Sequence, residues 1–597
     1  MAARAGVSKR RVSHISTNAN DVPPMSLMED LFGEEFPEAF GSGGAKSSRS
    51  ILDLPSELLA IICEDLSGLE IKRLRLASVY LAKNVDLRID RVYISPNRAN
   101  LQCLRNILDH PRHKYQIAEL IWDDAQLDAY PDLGSFKHAI DLDEIFIQRN
   151  IEKLLRNLSQ DHPEADDDFG AFEHDDLFDS EGKLTEVAKG VLLRHDSQFA
   201  GHVISRNATL MSVEESFEVY QVLYRQEQDI MRKGHDAAAL GYALENCPNI
   251  VRVVLTSEVW RPWHLQPVYD TPFRRSLPPG FRKPSVWPWL SQSPYDTPAR
   301  REYRDTIMGN YVPNDEASLP TEFRGFSIIV SALAALEDAQ VSEFIIYPGH
   351  ETIGISHHLF TTPNADFTNT LTMAQDLPLT RLALSINTSC SFHTTTTYLL
   401  SGQIRTLLAS MSHLEHLDLS LNSIERHKEF TGAMVRPSAI FPANLLPRLK
   451  TLALRNATFP ELELVSLIQA LVAAQHITLD NIAMIHARHN FVMLATFPLF
   501  QQLWKHYHDN QLGAATRPIF TIIRPALNGY KARMVCEELC YWLYECEFGE
   551  EDLCPFDAKR TYEVKEGVGW VISDRDERYC VRAGEWEGWE GVDGTIL

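Results

Sequence analysis

The sequence predicts an α/β solenoid, a curved parallel sheet with outer helices, preceded by a small all-α module. Three observations carry that expectation. The pattern L-x-x-L-x-L-x-x-N occurs in full at Leu379–Asn387 and Leu414–Asn422. Its first six positions recur from Leu449 and Ala474, so successive starts lie 35, 35 and 25 residues apart. A helical apolar pattern precedes most of these strand-like runs, and three short helical patterns occupy residues 51–90.

Taken in order, residues 1–49 read as a disordered tail. Arg4, Lys9, Arg10 and Arg11 form a basic cluster that suits either a nuclear address or a solvated tail, and the tail is the commoner reading. Met25–Phe40 mixes acids with apolar residues in the manner of disordered interaction segments. Gly41–Ser47 has Ala45 where a phosphate loop needs glycine before the lysine, so it reads as a linker.

Residues 50–95 form the all-α module. Pro55 and Glu57 suit the first turn of a helix. Leu58, Ile61, Ile62 and Leu66 follow as one apolar stripe. Ser67-Gly68 breaks the pattern, and Leu69, Leu74, Leu76 and Ala77, then Leu81 and Val85, mark two further short helices. A module this small buries too little apolar surface to offset its own ordering, so it must lean on the rest of the chain or on a partner.

Leu54-Pro55-x-Glu57-Leu58-Leu59, Ile62, Leu66 and Leu74-Arg75-Leu76 resemble the F-box, the helical module that docks on the Skp adaptor of cullin–RING ubiquitin ligases. Val92–Pro96, His110-Pro111 and Leu120-x-Trp122-Asp123-Asp124-Ala125 extend the similarity to F-box proteins of filamentous fungi. The resemblance implies adaptor contacts through Leu54, Pro55, Leu58, Leu59, Ile62 and Leu74, and through the adaptor a cullin.

Residues 96–525 form the predicted array, with insertions at 160–182 and 260–325. Leu101–Leu108 and Ile145–Leu158 read as helices and Ile117–Trp122 as a strand. Asp161–Glu181 holds ten acids and no Lys or Arg, a self-repelling loop. Ser212-x-x-Glu215 is a capping box opening a helix with Phe217, Tyr220, Leu223 and Tyr224 on one face. Ala237–Glu245, Ile328–Leu336, Tyr398–Leu408 and Leu462–Val472 are helical; Ile250–Thr256, Val341–Ile346 and Ile519–Ile523 are strand-like, the last closing the array.

The nine-residue pattern is that of leucine-rich repeats. Positions four and six of each copy share one strand face and bury against helices, and stacked copies make one continuous core. The asparagine is expected to bond backbone in the following turn. Positions three, five and seven point to the other, concave face. There Glu343, Tyr347, Arg381, His416, Asp418, Arg455 and His476 are the candidate substrate-binding residues, suited to charge-assisted bonds and aromatic anchoring of a protein. Ile345, Ala383, Ser385, Ser420, Thr451, Ala453, Thr478 and Asp480 share that face.

Within the second insertion, Tyr269-Asp-Thr-Pro272-x-Arg274-Arg275 recurs at Tyr295–Arg301. The prolines and the tryptophans between 260 and 298 suit a long loop wrapped on the array, in preference to a lid with phosphorylated Thr-Pro sites. Residues 526–597 read as a capping extension, with a helix over Tyr530–Tyr544 carrying Cys536 and Cys540 as core thiols.

A net charge of −24 argues against nucleic-acid or anionic-membrane surfaces. Nine scattered cysteines suggest free thiols in a reducing compartment, and no apolar run is long enough to span a bilayer. The expected location is cytoplasmic and/or nuclear. No nucleophile elbow, H-E-x-x-H or kinase signature is present, and His357-His358 and His486-x-x-His489 are isolated pairs. No catalytic residue, metal or cofactor is therefore expected. The sequence points to the substrate-recognition subunit of an SCF-type ligase, whose array holds a protein substrate. The alternative is an interaction scaffold in which the F-box-like helices only cap the array.

Overall fold

The computed structural model describes residues 51–64, 66, 68–141, 184–195, 210–256, 269, 271–284, 324–336, 340–347, 354–361, 363–387, 397–421, 436–485, 491–493, 497–509, 517–525, 531–535, 543–544 and 570–573. The N-terminal tail, the 145–158 helix, the acidic loop, Tyr295–Arg301, Asn422, His486, His489, Cys536 and Cys540 lie outside them.

Three short helices come first, α1 (Ser56–Glu64), α2 (Gly68–Leu76) and α3 (Val79–Asn84). Leu59, Ile71, Leu81 and Val85 form a core separate from that of the sheet, with Leu54, Cys63, Leu66 and Leu74 packed against it. The Tyr80 hydroxyl donates to the Leu54 carbonyl (3.0 Å), tying α3 to the start of α1. Ser78 caps α3 by accepting the Tyr80 N–H.

An open sheet follows. Nine strands run parallel and pair in chain order: β1 (Arg91–Ile94), β2 (Glu119–Asp123), β3 (Arg252–Thr256), β4 (Glu343–Tyr347), β6 (Arg381–Asn387), β7 (His416–Ser420), β8 (Thr451–Pro460), β9 (His476–Ile485) and β11 (Ile519–Pro525). Short β5 (Ile355–Ser356) pairs with β6, and β10 (Phe491–Met493) pairs antiparallel with β9. Parallel neighbours require a crossover, and helices supply it. They are α4 (Arg98–Leu108), α7 (His235–Asn246), α9 (Arg324–Ala334), α10 (Ala365–Asp376), α11 (Thr397–Leu400), α12 (Gln403–Ser410), α13 (Pro437–Ile440), α14 (Glu461–Gln469) and α15 (Phe497–Asp509).

The period-two pattern sets which strand residues meet those helices. Leu120, Val253, Phe344, Leu382, Leu417, Leu452, Ile477 and Phe520 are in register across the sheet. They share one core with Leu104, Leu240, Ile329, Met373, Leu407, Leu464 and Leu503 of the helices. Positions four and six of every copy are thus buried as read. Tyr398–Leu408, read as one helix, is split into α11 and α12 at Gly402, which takes a left-handed φ of 78°.

The opposite face is covered at its N-terminal half, which the repeat pattern does not foretell. Tyr93, Ile121, Val254, Ile345 and Ala383 pack under Leu127, Tyr130, Phe136, Tyr220, Tyr269 and Phe273, a second core. These come from residues 124–141, which end in helix α5 (residues 133–141), from α6 (Val213–Lys233) and from the segment around α8 (Pro272–Arg275). Ser212 caps α6 as expected, accepting the Glu215 N–H at 3.2 Å. Thr271 is fully buried and caps α8 by accepting the Arg274 N–H, so the first Thr-Pro copy is a packed turn.

Two expectations at the end of the chain fail. β11 is not the last strand: β12 (Lys531–Val535) and β13 (Trp570–Ser573) continue the sheet antiparallel. The helix placed over Tyr530–Tyr544 therefore begins as a strand, because Lys531–Val535 alternates polar and apolar residues beside the open edge of β11. In the Leu449 copy an asparagine, Asn456, stands one position before the ninth. It sits at φ 50° within β8 and its amide donates to the Ser420 hydroxyl (3.2 Å).

Candidate functional site

Among the described residues two surfaces stand out, the outer side of the helical module and the part of the sheet's second face beyond the second core. On α1, Leu58, Ile61 and Ile62 fall at i, i+3 and i+4 and so share one side of the helix. They stay 47%, 59% and 41% exposed, and Leu76 and Val79 at the α2–α3 turn stay 75% and 74% exposed. Pro55 is exposed at the start of α1, while Leu54 and Leu74 are half-buried against the module core. Leu59, at 1% exposure, belongs to the module core beneath that surface. It stands one residue from Leu58, about 100° around the helix, so it faces inward. Ile61, Leu76 and Val79 add to the expected contact residues; in the sequence a stripe of apolar residues does not distinguish a core face from a docking face.

On the second face of the sheet, position three makes a continuous row. Arg91, Glu119, Arg252, Glu343, Arg381, His416, Thr451 and His476 stand side by side in register. Arg91 pairs with Glu119 (3.3 Å), Arg252 reaches Glu119 (3.6 Å), and Arg252 Nε donates to Glu343 (2.8 Å). His416 Nδ1 lies 3.0 Å from the Thr451 hydroxyl. Burial, and then the Arg381 charge beside it, hold the His416 imidazole below its usual range.

Positions five and seven form a second network. Arg455 donates to Asp418 through Nε (3.0 Å) and Nη2 (3.1 Å), and to Asp480 through Nη1 (2.9 Å). This face is more closed than alternation predicts. Ile345 is buried by the second core, and Ser385, Ser420, Thr478 and Asp480 are buried by their neighbours. Arg381, His416, Asp418 and His476 are half-buried, and only the backbone of Tyr347 is described. Glu343, Asp418 and Arg455 answer charges on their own face, which leaves Arg381 and His416 as the polar groups with most to offer a partner.

Glu227 and Asp123 are buried where the second layer meets the end of β2. Glu227 of α6 accepts the Leu127 N–H (2.8 Å), and burial holds its carboxyl well above the usual range. Asp123 accepts the Ala125 N–H (3.2 Å), its Oδ2 has no hydrogen-bond partner, and burial raises it likewise. A raised folded value means that between the ordinary and the raised values the folded chain keeps a proton that the unfolded chain releases. Stability then falls as pH rises through that window. Glu227→Gln, which keeps an acceptor for Leu127, should equal the parent protein in acid and exceed it in stability at neutral pH. Urea unfolding at both pH values measures this; a Gln variant less stable at neutral pH contradicts it.

Among the described residues no group of three His, Cys, Asp or Glu is arranged to hold a metal, and no helix is long and apolar enough to cross a membrane. No family model matches the chain, and no curated protein matches it.

Proposed function

We propose that this chain is a substrate receptor of an SCF-type cullin–RING ubiquitin ligase. In this reading residues 51–90 are an F-box, and the sheet with its helices is a leucine-rich-repeat-like solenoid. The single observation that carries it is the apolar surface left open by Leu58, Ile61 and Ile62 on a module with a core of its own. Exposed leucine and isoleucine side at helical spacing cost solubility and are retained where a partner covers them. Leu54, Pro55 and Leu74 flank that surface and complete the contact set, with Leu59 supporting it from beneath. A scaffold whose helices only cap the array would bury Leu58 and Ile62 against the sheet, and both are exposed.

The receptor performs no bond chemistry in this account. It raises the effective concentration of a bound protein near the ubiquitin-carrying subunit. Co-purification with a Skp adaptor tests it. Burying Leu58 is worth about 1.5–3 kcal/mol, so Pro55→Ala with Leu58→Ala should weaken adaptor binding roughly 10-fold or more. No association by the parent chain, or association unchanged in the double variant, removes the ligase reading.

A further inference from the structure

The charges along the position-three row do not balance. Reading from β1, Arg91, Glu119, Arg252 and Glu343 alternate in sign, and each arginine has a carboxylate within 3.3 Å. Arg381 is the fifth member, and the pattern stops there. Its neighbour on one side, Glu343, already accepts Arg252 Nε at 2.8 Å. Its neighbour on the other side is His416, a base held toward its neutral form. The nearest carboxylate of the next row, Asp418, takes both Nε and Nη2 of Arg455. Arg381 feels Glu343 and Asp418 through space, yet among the described residues it makes no hydrogen bond and no ion pair.

That is a costly arrangement in a chain of net charge −24, where carboxylates outnumber cations. The guanidinium is half-buried, and burial, ahead of any neighbouring charge, pulls its proton affinity down. A guanidinium that has given up water without gaining a carboxylate is a fork of donors awaiting one. On the same face stand Ala383, at the margin of the second core, and, beyond Asp418, Ala453, the two smallest side chains there. We infer that Arg381, with His416 beside it, is an anion site at the margin of the second core that receives a carboxylate or phosphate group of the bound protein. This deepens the receptor reading and rests on it only for the anion's belonging to a protein substrate.

The two sources of such an anion are an acidic side chain and a phosphorylated one. The full-length chain, labelled at histidine ring carbons, is titrated with a capped glutamate peptide and with its phosphoserine counterpart. The His416 signal is identified by its loss in His416→Asn. An anion on Arg381 offsets the positive field at the imidazole, so the signal should move saturably and the His416 pKa should rise toward its ordinary value. In Arg381→Gln the His416 pKa should start higher, and half-saturation should require at least tenfold more peptide; Arg381→Lys should fall between. The arm that saturates at the lower concentration identifies the source, and either one supports the site. No response to either peptide, or an equal response in Arg381→Gln, overturns it. Thermal melts of both variants matching the parent confirm that the sheet is intact. Adaptor co-purification by Arg381→Gln should be unchanged, so loss of the anion site and loss of the ligase reading are separate results.

Discussion

Asp236→Ala should destabilise the protein by about 3–5 kcal/mol, because it strips the partner from a buried guanidinium. Asp236 lies in the first turn of α7 with its side chain fully buried. Its Oδ1 accepts Arg324 Nη2 at 2.8 Å and its Oδ2 accepts Nη1, a two-pronged bond from the first residue of α9. Removing the carboxylate leaves Arg324, only 23% exposed, without its counter-charge at a helix start that already repels cations. Removing both partners is the milder change, since no orphaned charge remains. Asp236→Ala with Arg324→Met should therefore recover part of the loss. Equilibrium urea unfolding measures both, and a single-variant loss below about 1 kcal/mol would contradict the assignment.

Gly325→Ala should be nearly as severe, at about 2–4 kcal/mol. The next residue along α9 meets the end of β2 so closely that a Cβ there would overlap Trp122 Nε1 and Asp124 Oδ1. Both are fixed: Trp122 is fully buried and its indole N–H donates to Asp124 (3.3 Å), which also accepts the Gly325 N–H (2.7 Å). An added methyl group must displace the carboxylate and break those bonds, or move α9 off the sheet. The glycine is required here by close approach rather than by backbone conformation. A calorimetric melting temperature lowered by several degrees is the expected signature; an unchanged one would mean that the junction yields without cost. Together Arg324 and Gly325 pin α9 to α7 and β2, across the site where a long insertion leaves the sheet.

What the sequence discloses follows the range of the interaction. The L-x-x-L-x-L copies were legible because alternation is local, and Leu382/Leu384, Leu417/Leu419 and Leu452/Leu454 bury as that period requires. The Ser212 cap was legible because donor and acceptor lie three residues apart. The cover over β1–β4 was not, since Phe136, Tyr220 and Phe273 come from segments far apart in the chain and meet only in the fold. The same limit affects the candidate sites. Arg381 and His416 were named from their strand position, but that Arg455 answers Asp418 and Asp480 depends on register between strands. Leu58 and Leu59 differ by a single step, and only packing decides that one is open and the other core.

The open side of the first three helices is the proposed docking face. Hydrogen exchange of the full-length chain, with and without a Skp adaptor, tests that most directly. Slowed exchange confined to residues 56–84, with the parallel strands from Glu343 onward unchanged, is the predicted result. Unaltered exchange across those helices in the presence of adaptor, or protection appearing only on the sheet, would contradict it.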